Sequence, residues 1–298
     1  MPTETTTAAV VTDSAASLSS ATSARRTRRL RLAVRYLVLI VAAAIILFPI
    51  YITVVDALLS PQQVVHRPPT LFPTSPHWSN FSYAFKEGDL GIYLRNSAIV
   101  TLAVTAAELL TSVFAAYAFV FLRFPGRRIL FFASLATLMV PFEATIIPNY
   151  QTIQKFGLFN TYGALVLPFV ASGVGIFLFR QAFLGFPSEI RDAARLDGCG
   201  HVKFLFRMVA PINRPVLAAF ALFAFLASWN QYLWPLVVTQ TNSVRTVQIG
   251  LRQIAATNFN QIDIVFAATI LAALPIAVLL FIFQRQLVTG LTAGAVKG

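Results

Sequence analysis

An all-α membrane protein with six transmembrane helices is the fold class this sequence predicts, on three observations. Of its 298 residues 57% are hydrophobic and only 11% charged, and the mean hydropathy is +0.72, a balance suited to lipid rather than water. Apolar runs long enough for a ~30 Å hydrocarbon core recur along the chain. Lysine and arginine collect in alternate connections between those runs, as topology determinants do.

Residues 1 to about 24 are mostly Thr, Ala, Ser and Val without periodicity, and read as the start of a disordered, basic tail, 1–33, that lies in the cytoplasm. Arg25, Arg26, Arg28, Arg29, Arg31 and Arg35 lead into the first apolar run, about Val34 to Leu59. It exceeds the roughly 7–15 residues of a signal-peptide core and lacks a small-residue cleavage site. It therefore reads as the first span of a membrane domain over 34–286. Ser60 to about Tyr93 holds five prolines and the aromatics Trp78, Phe81, Tyr83 and Phe85, the composition of an outer connection lying partly at the interface. The second span covers about Leu94 to Leu122. A turn, Arg123–Arg128, separates it from the third, about Ile129 to Ile147. Pro148 to Thr161 reads as an outer connection and Tyr162 to Phe186 as the fourth span. A charged island at 187–215 precedes the fifth, about Val216 to Val238. Gln240 to Asp263 reads as an outer loop, Ile264 to Phe283 as the sixth span, and 287–298 as a second cytoplasmic tail.

Six spans put both termini on one side. Sixteen of the twenty-three basic residues fall in the amino tail, the Arg123–Arg128 turn, the island and the carboxyl tail. The positive-inside rule places these in the cytoplasm, with the protein multi-pass in its membrane. That placement accounts for the net charge of +12 without any nucleic acid. One cysteine, Cys199, excludes an internal disulfide framework.

The island is amphipathic. Ile190, Ala193, Ala194 and Asp197 recur at helical spacing beside Glu189, Arg191, Asp192 and Arg195. Gly198 supplies a left-handed stop. A second helix follows from about His201 to Val209, with Val202, Leu205, Phe206 and Val209 on one side, ended by Pro211 and Pro215. Two short helices around a glycine elbow, in water beside a membrane, read as a docking knob.

Catalytic chemistry is not visible. None of the four lysines follows a glycine, so there is no phosphate loop of the Gly-x-x-x-x-Gly-Lys type. His66, His77 and His201 are scattered over connections on opposite sides, against a metal site or a Ser-His-Asp set. Polar groups within the spans are more telling, since they are costly there and face cavities. Glu108 sits mid-span, and Asp56 near the outer end of the first. Ser228–Pro235 is a polar-aromatic cluster ending in a helix breaker. Two prolines bracket Glu143. Broken helices with such side chains suit a solute path, and Glu108, Asn149, Tyr150, Trp229, Asn230 and Tyr232 are its candidate residues. The competing readings make Trp229, Tyr232 and Trp234 interfacial anchors and Glu108 a helix–helix contact. Ser112, Ala116, Gly173 and Gly175 mark tight packing. A membrane-embedded enzyme and a proton-coupled carrier on Glu108 and Asp56 are the alternatives from other classes.

Asp192-Ala-Ala-x-x-x-Gly198, nine residues, then Met208-x-Ala-Pro211 resembles the EAA loop of ATP-binding-cassette importer permeases. Asp192 replaces the usual Glu, and Met208 and Ala210 the usual Ile and Leu. Arg123-Phe-Pro-Gly-Arg, Leu138-Met-Val-Pro, Trp229-Asn-Gln-Tyr-Leu-Trp-Pro and Gln284-Arg-Gln-Leu-Val-x-Gly-Leu are similar to the carbohydrate-uptake branch. Within it they are most similar to the second membrane subunit of glycerol-3-phosphate and glycerophosphodiester importers. The resemblance implies a type I permease of a bacterial inner or plasma membrane that is not itself an enzyme. It would import glycerol-3-phosphate or glycerophosphodiesters such as glycerophosphocholine, or, on the alternative, a neutral oligosaccharide of the maltose or trehalose type. It also implies a second, homologous permease, two ATPase subunits and an extracytoplasmic binding protein. No cofactor would sit on this chain, ATP and Mg²⁺ being held by the partner ATPases. The coupling residues it implies are Asp192, Ala193, Ala194, Asp197, Gly198, Phe204 and Pro211.

Overall fold

Glycine, proline and capping residues decide where the helices of this apolar chain stop. The structure, a computed structural model, describes the backbone of residues 5–292 and the side chains of residues 31–284. It divides into two units, Met1–Asp56 and Ala57–Gly298. The first is nearly all of α1 (Thr5–Ala57). Helix starts at Thr5, where a disordered tail was expected. No glycine or proline occurs between Thr3 and Phe48, and alanine is abundant, so nothing in the sequence stops the helix.

In the second unit, α2 (Pro61–Val64) is a single turn closed by a Ser60–Gln63 capping box. α3 (Ser79–Lys86) carries Asn80, which is buried and donates to the carbonyls of Ala57 and Leu59 at 3.0 and 2.9 Å. The long α4 (Leu90–Phe121) starts after Asp89 at φ 55, four residues ahead of the expected span. Gly126 opens α5 (Arg127–Ala136) at φ 76.

The third apolar run is not straight. A 3₁₀ turn and Pro141 bend it by 101° into α6 (Phe142–Lys155). Helix therefore occupies much of the segment expected to be a connection after Pro148. α7 (Tyr162–Val166) meets α8 (Gly173–Leu184) at 46°. The island holds α9 (Ser188–Leu196), α10 (His201–Phe204), a π-helical stretch Leu205–Val209 and α11 (Ala210–Ile212). A bend of 84° turns this arm into α12 (Arg214–Trp229). Pro211 and Pro215 thus open helical segments instead of ending one, as suits residues without an N–H to donate.

After a break at Asn230–Tyr232 come α13 (Leu233–Val238), α14 (Val247–Thr257) and α15 (Ile262–Thr292). The expected outer loop 240–263 is therefore largely helix. Helix also runs through Thr292, and residues 293–298 of the expected tail lie outside the described residues. Among the described residues three helices are long and apolar enough to cross a membrane: Arg31–Ala57 of α1, α4, and Ile262–Gln284 of α15. With each bent pair counted as one span the total is six.

α4 is the axis of the second unit, flanked by α8 and α12, with α15 against α12. Small residues allow the approach. Ser112 and Ala116 of α4 are fully buried. A Cβ on Gly175 of α8 would lie 2.4 Å from Ser112 Oγ and 2.6 Å from Phe220 Cζ.

Candidate functional site: a coupling knob and a mid-span cavity on one helix

The knob is organised around Gly198, whose φ of 64° lies in the left-handed region that side chains resist. A Cβ there would meet nothing within 4 Å, so backbone conformation, not crowding, selects glycine. Asp192, Ala193, Asp197 and Gly198 are all exposed, while Ala194 and Phe204 are buried. Asp192 Oδ1 lies 3.3 Å from Arg191 Nε and 3.7 Å from Arg195 Nη1. Exposed pairs of this kind are weak, which leaves the carboxylate open to another donor. Pro211 sits half-buried where the π stretch ends.

Phe204, Leu205 and Val209 form the buried side of the second knob helix. Val202 and Phe206, expected on that side, are 66% and 48% exposed. Phe206 lies in the π stretch, which takes more residues per turn than an α-helix, so its face shifts round the axis; Val202 lies before that stretch, in α10. Phe206 instead sets its ring edge-on to Phe114 at 5.9 Å. The knob packs onto the end of α4. Phe204 meets Phe121 and Phe186 edge-to-face at 5.5 and 5.4 Å, and the Tyr117 hydroxyl lies 2.8 Å from His201 Nδ1. Half-buried Cys199 packs against the same cluster.

Further along α4 lies a cavity of about 490 Å³ between α4, α6, α12 and the break before α13. Val104, Phe142, Phe169 and Trp234 give apolar and aromatic walls; Glu108, Glu143, Ser228, Gln231 and Tyr232 bring polar groups. The break creates the site. Unwinding at Asn230–Tyr232 turns Gln231 and Tyr232 inward, and Trp234 locks the next helix by donating from Nε1 to the Ala164 carbonyl at 2.8 Å. The Glu108 carboxyl makes no hydrogen bond among the described residues. Among the described residues no lysine, arginine or histidine lines the cavity, and no group of three or more His, Cys, Asp or Glu is arranged to hold a metal.

Of the six candidates for the path, the cavity brings together Glu108 and Tyr232. Trp229 is instead 3% exposed in the core, stacked on Phe225 at 5.5 Å. It follows Ser228 by one residue, about 100° round the helix, and so faces away. Asn230 caps α12 through the Leu226 carbonyl at 2.9 Å and accepts from Gln248 at 3.3 Å. On α6, Asn149 donates to Thr145 at 3.3 Å, and Tyr150 packs edge-on to Phe159 at 5.9 Å. Neither lines the cavity. Gln231 and Trp234 were within reach of sequence reasoning, being in the Ser228–Pro235 cluster, as was Glu143 between its prolines. Phe142 and Phe169 carry no such signal.

Residues 90–292 match the family model described as "Binding-protein-dependent transport system inner membrane component". The chain is 38% identical over 267 residues, 86% of its length and 94% of the relative's, to the sn-glycerol-3-phosphate transport system permease protein UgpE of Yersinia pestis. It is 39% identical over 227 residues, 76% and 81% of the two lengths, to the arabinooligosaccharides transport system permease protein AraQ of Halalkalibacterium halodurans. A chain of a bacterial ABC transporter involved in alginate import has the same fold, with TM-score 0.77 and 22% identity over 87% of this chain and 97% of that one. With its bent spans around α4, its exposed knob and a match over residues 90–292, this multi-pass membrane protein belongs to the family of inner-membrane components of binding-protein-dependent transport systems.

Proposed function

We propose that this chain is one of two membrane subunits of an ATP-driven importer, carrying glycerol-3-phosphate or a glycerophosphodiester inward through the cavity beside Glu108. A second, homologous permease would complete the pathway, and an extracytoplasmic binding protein would deliver the solute. Each of two ATPase subunits would grip one permease knob, holding ATP and Mg²⁺ itself, so that this chain binds no cofactor. The surplus of basic residues in the tails, the Arg123–Arg128 turn and the knob supports a cytoplasmic knob and cytoplasmic termini.

The observation that carries this reading is that one helix, α4, bears both parts. Tyr117 and Phe121 hold the knob, and Val104 and Glu108 wall the cavity. From Tyr117 to Glu108 is about 13 Å of helix, so a push on the knob tilts the cavity wall. Closure of the ATPase pair on nucleotide then shifts the permease between inward- and outward-open states.

Polar side chains between aromatic walls suit a polyhydroxylated solute, with carboxyl and amide oxygens accepting from hydroxyls. A phosphate finds no cationic partner in this wall, so the partner subunit or the binding protein would supply it. The same lining, with the likeness to AraQ, favours a neutral oligosaccharide as the second reading. The test is the full complex in vesicles with its binding protein, supplied in turn with glycerol-3-phosphate, glycerophosphocholine and an arabinooligosaccharide. Accumulation of either phosphate ester with matching ATPase stimulation supports the proposal. Stimulation by the oligosaccharide alone favours the second reading, and ATP-independent uptake overturns both.

A further inference from the structure

We infer that the turn between α4 and α5 is a binding site for an anionic phospholipid of the leaflet on the knob side. Arg123, Phe124, Gly126, Arg127, Arg128 and Ile129 line an open recess of about 660 Å³. It holds three guanidinium groups and, among the described residues, no acid. Both ion pairs among the described residues are made by Asp192, so these three charges are uncompensated. Arg127 is fixed in place, donating from Nη1 to the Leu122 carbonyl at 3.1 Å, and Arg123 and Arg128 are exposed. Gly126 gives the first turn of α5 no side-chain cap, so backbone N–H groups add to the positive end.

The next residues say what kind of anion fits. Ile129, Leu130 and Phe132 are 75%, 54% and 65% exposed, an apolar stretch continuing from the recess along α5. A phosphate in the recess with acyl chains along that stretch satisfies both halves at once. The opposite side of α5 is anchored. Phe131 is 7% exposed, takes the Arg180 guanidinium over its ring at 4.2 Å, and meets Phe119 edge-on at 5.7 Å. The recess therefore moves with the end of α4, close to where Phe121 holds the knob.

The test uses the assembled importer, with this chain wild type or Arg123→Gln/Arg128→Gln, in bilayers of phosphatidylcholine with and without phosphatidylglycerol. Lipid retained on the complex is counted by native mass spectrometry. Wild type should retain phosphatidylglycerol, and the double variant should hold it roughly tenfold less tightly. Arg123→Lys/Arg128→Lys should restore much of the retention, showing that charge rather than folding is at stake. Equal retention by wild type and the Gln variant would overturn the site. So would displacement of the lipid by millimolar inorganic phosphate, which would make it a free-anion site. Loss of the ATPase subunits from the Gln variant with lipid retention intact would make it a protein contact instead.

Discussion

The Tyr117 hydroxyl of α4 lies 2.8 Å from Nδ1 of His201 in the knob, one hydrogen bond between the knob and the helix that also walls the cavity. It sits among rings. Tyr117 packs on Phe121 at 4.9 Å and on Phe204 at 6.4 Å, so the contact has both a polar and an apolar component.

Tyr117→Phe separates the two. The ring stays and a bond worth about 1 kcal/mol goes. The complex should assemble and hydrolyse ATP, while uptake per ATP falls about fivefold. Tyr117→Ala also removes a buried ring, at a cost of about 3–5 kcal/mol by analogy with other aromatic truncations, and should lower yield and melting temperature as well. Paired uptake and ATPase assays with a thermal melt distinguish the cases.

Gly198 and Gly175 should respond to substitution in opposite ways. At Gly198 a side chain has room but the left-handed backbone costs about 1–2 kcal/mol, with Asn tolerated best. Gly198→Asn should transport nearly normally, and Gly198→Val should leave a folded permease whose partner ATPases run uncoupled. At Gly175→Ala the new methyl meets Ser112 and Phe220, so the loss should appear in thermal stability, by about 1–3 kcal/mol.

Glu108→Gln keeps size at the cavity but replaces one of the two accepting oxygens with a donating amide NH2. If hydroxyl recognition is what the carboxyl does, the apparent KM should rise severalfold with the maximal rate little changed. Gln231→Ala should act in the same direction. Trp229→Phe, away from the cavity, should leave KM unchanged and alter stability only. Initial-rate uptake curves decide.

Asn96 ties α4 to the segment after α13. It is fully buried, donates to the carbonyls of Asn242 and Arg245 at 3.2 and 3.0 Å, and accepts from the Tyr162 hydroxyl at 2.7 Å. Asn96→Ala strands these partners and should cost about 2 kcal/mol. Increased proteolysis of the 240–246 segment would report it.

What the sequence revealed, and what it hid, follows from how local each signal is. The Gly198 elbow was legible because its conformation is a property of one residue, and tight packing at Ser112 and Gly175 because small side chains in an apolar run have few other uses. The cavity was half legible. Polar and aromatic residues at 228–235 announced a break, but which of them face inward depends on where the helix unwinds, and one residue of register exchanges Trp229 for Ser228. The 101° bend before α6, and the helix α14 within an expected loop, were hidden because apolar runs and prolines do not encode bend angles or the surfaces that order a connection. The exposed Phe206 was missed because α-helical spacing was assumed through a stretch that is π-helical.

The knob owns no interior. Ala194, Phe204, Leu205 and Val209 are buried only by sharing one cluster with Val113, Tyr117, Phe179, Phe183 and Phe220 from α4, α8 and α12. A chimaera made by transplanting residues 187–215 into another permease would therefore bring half of a jigsaw. To stand upright on its new host, the graft has to travel with the neighbours that fill its underside.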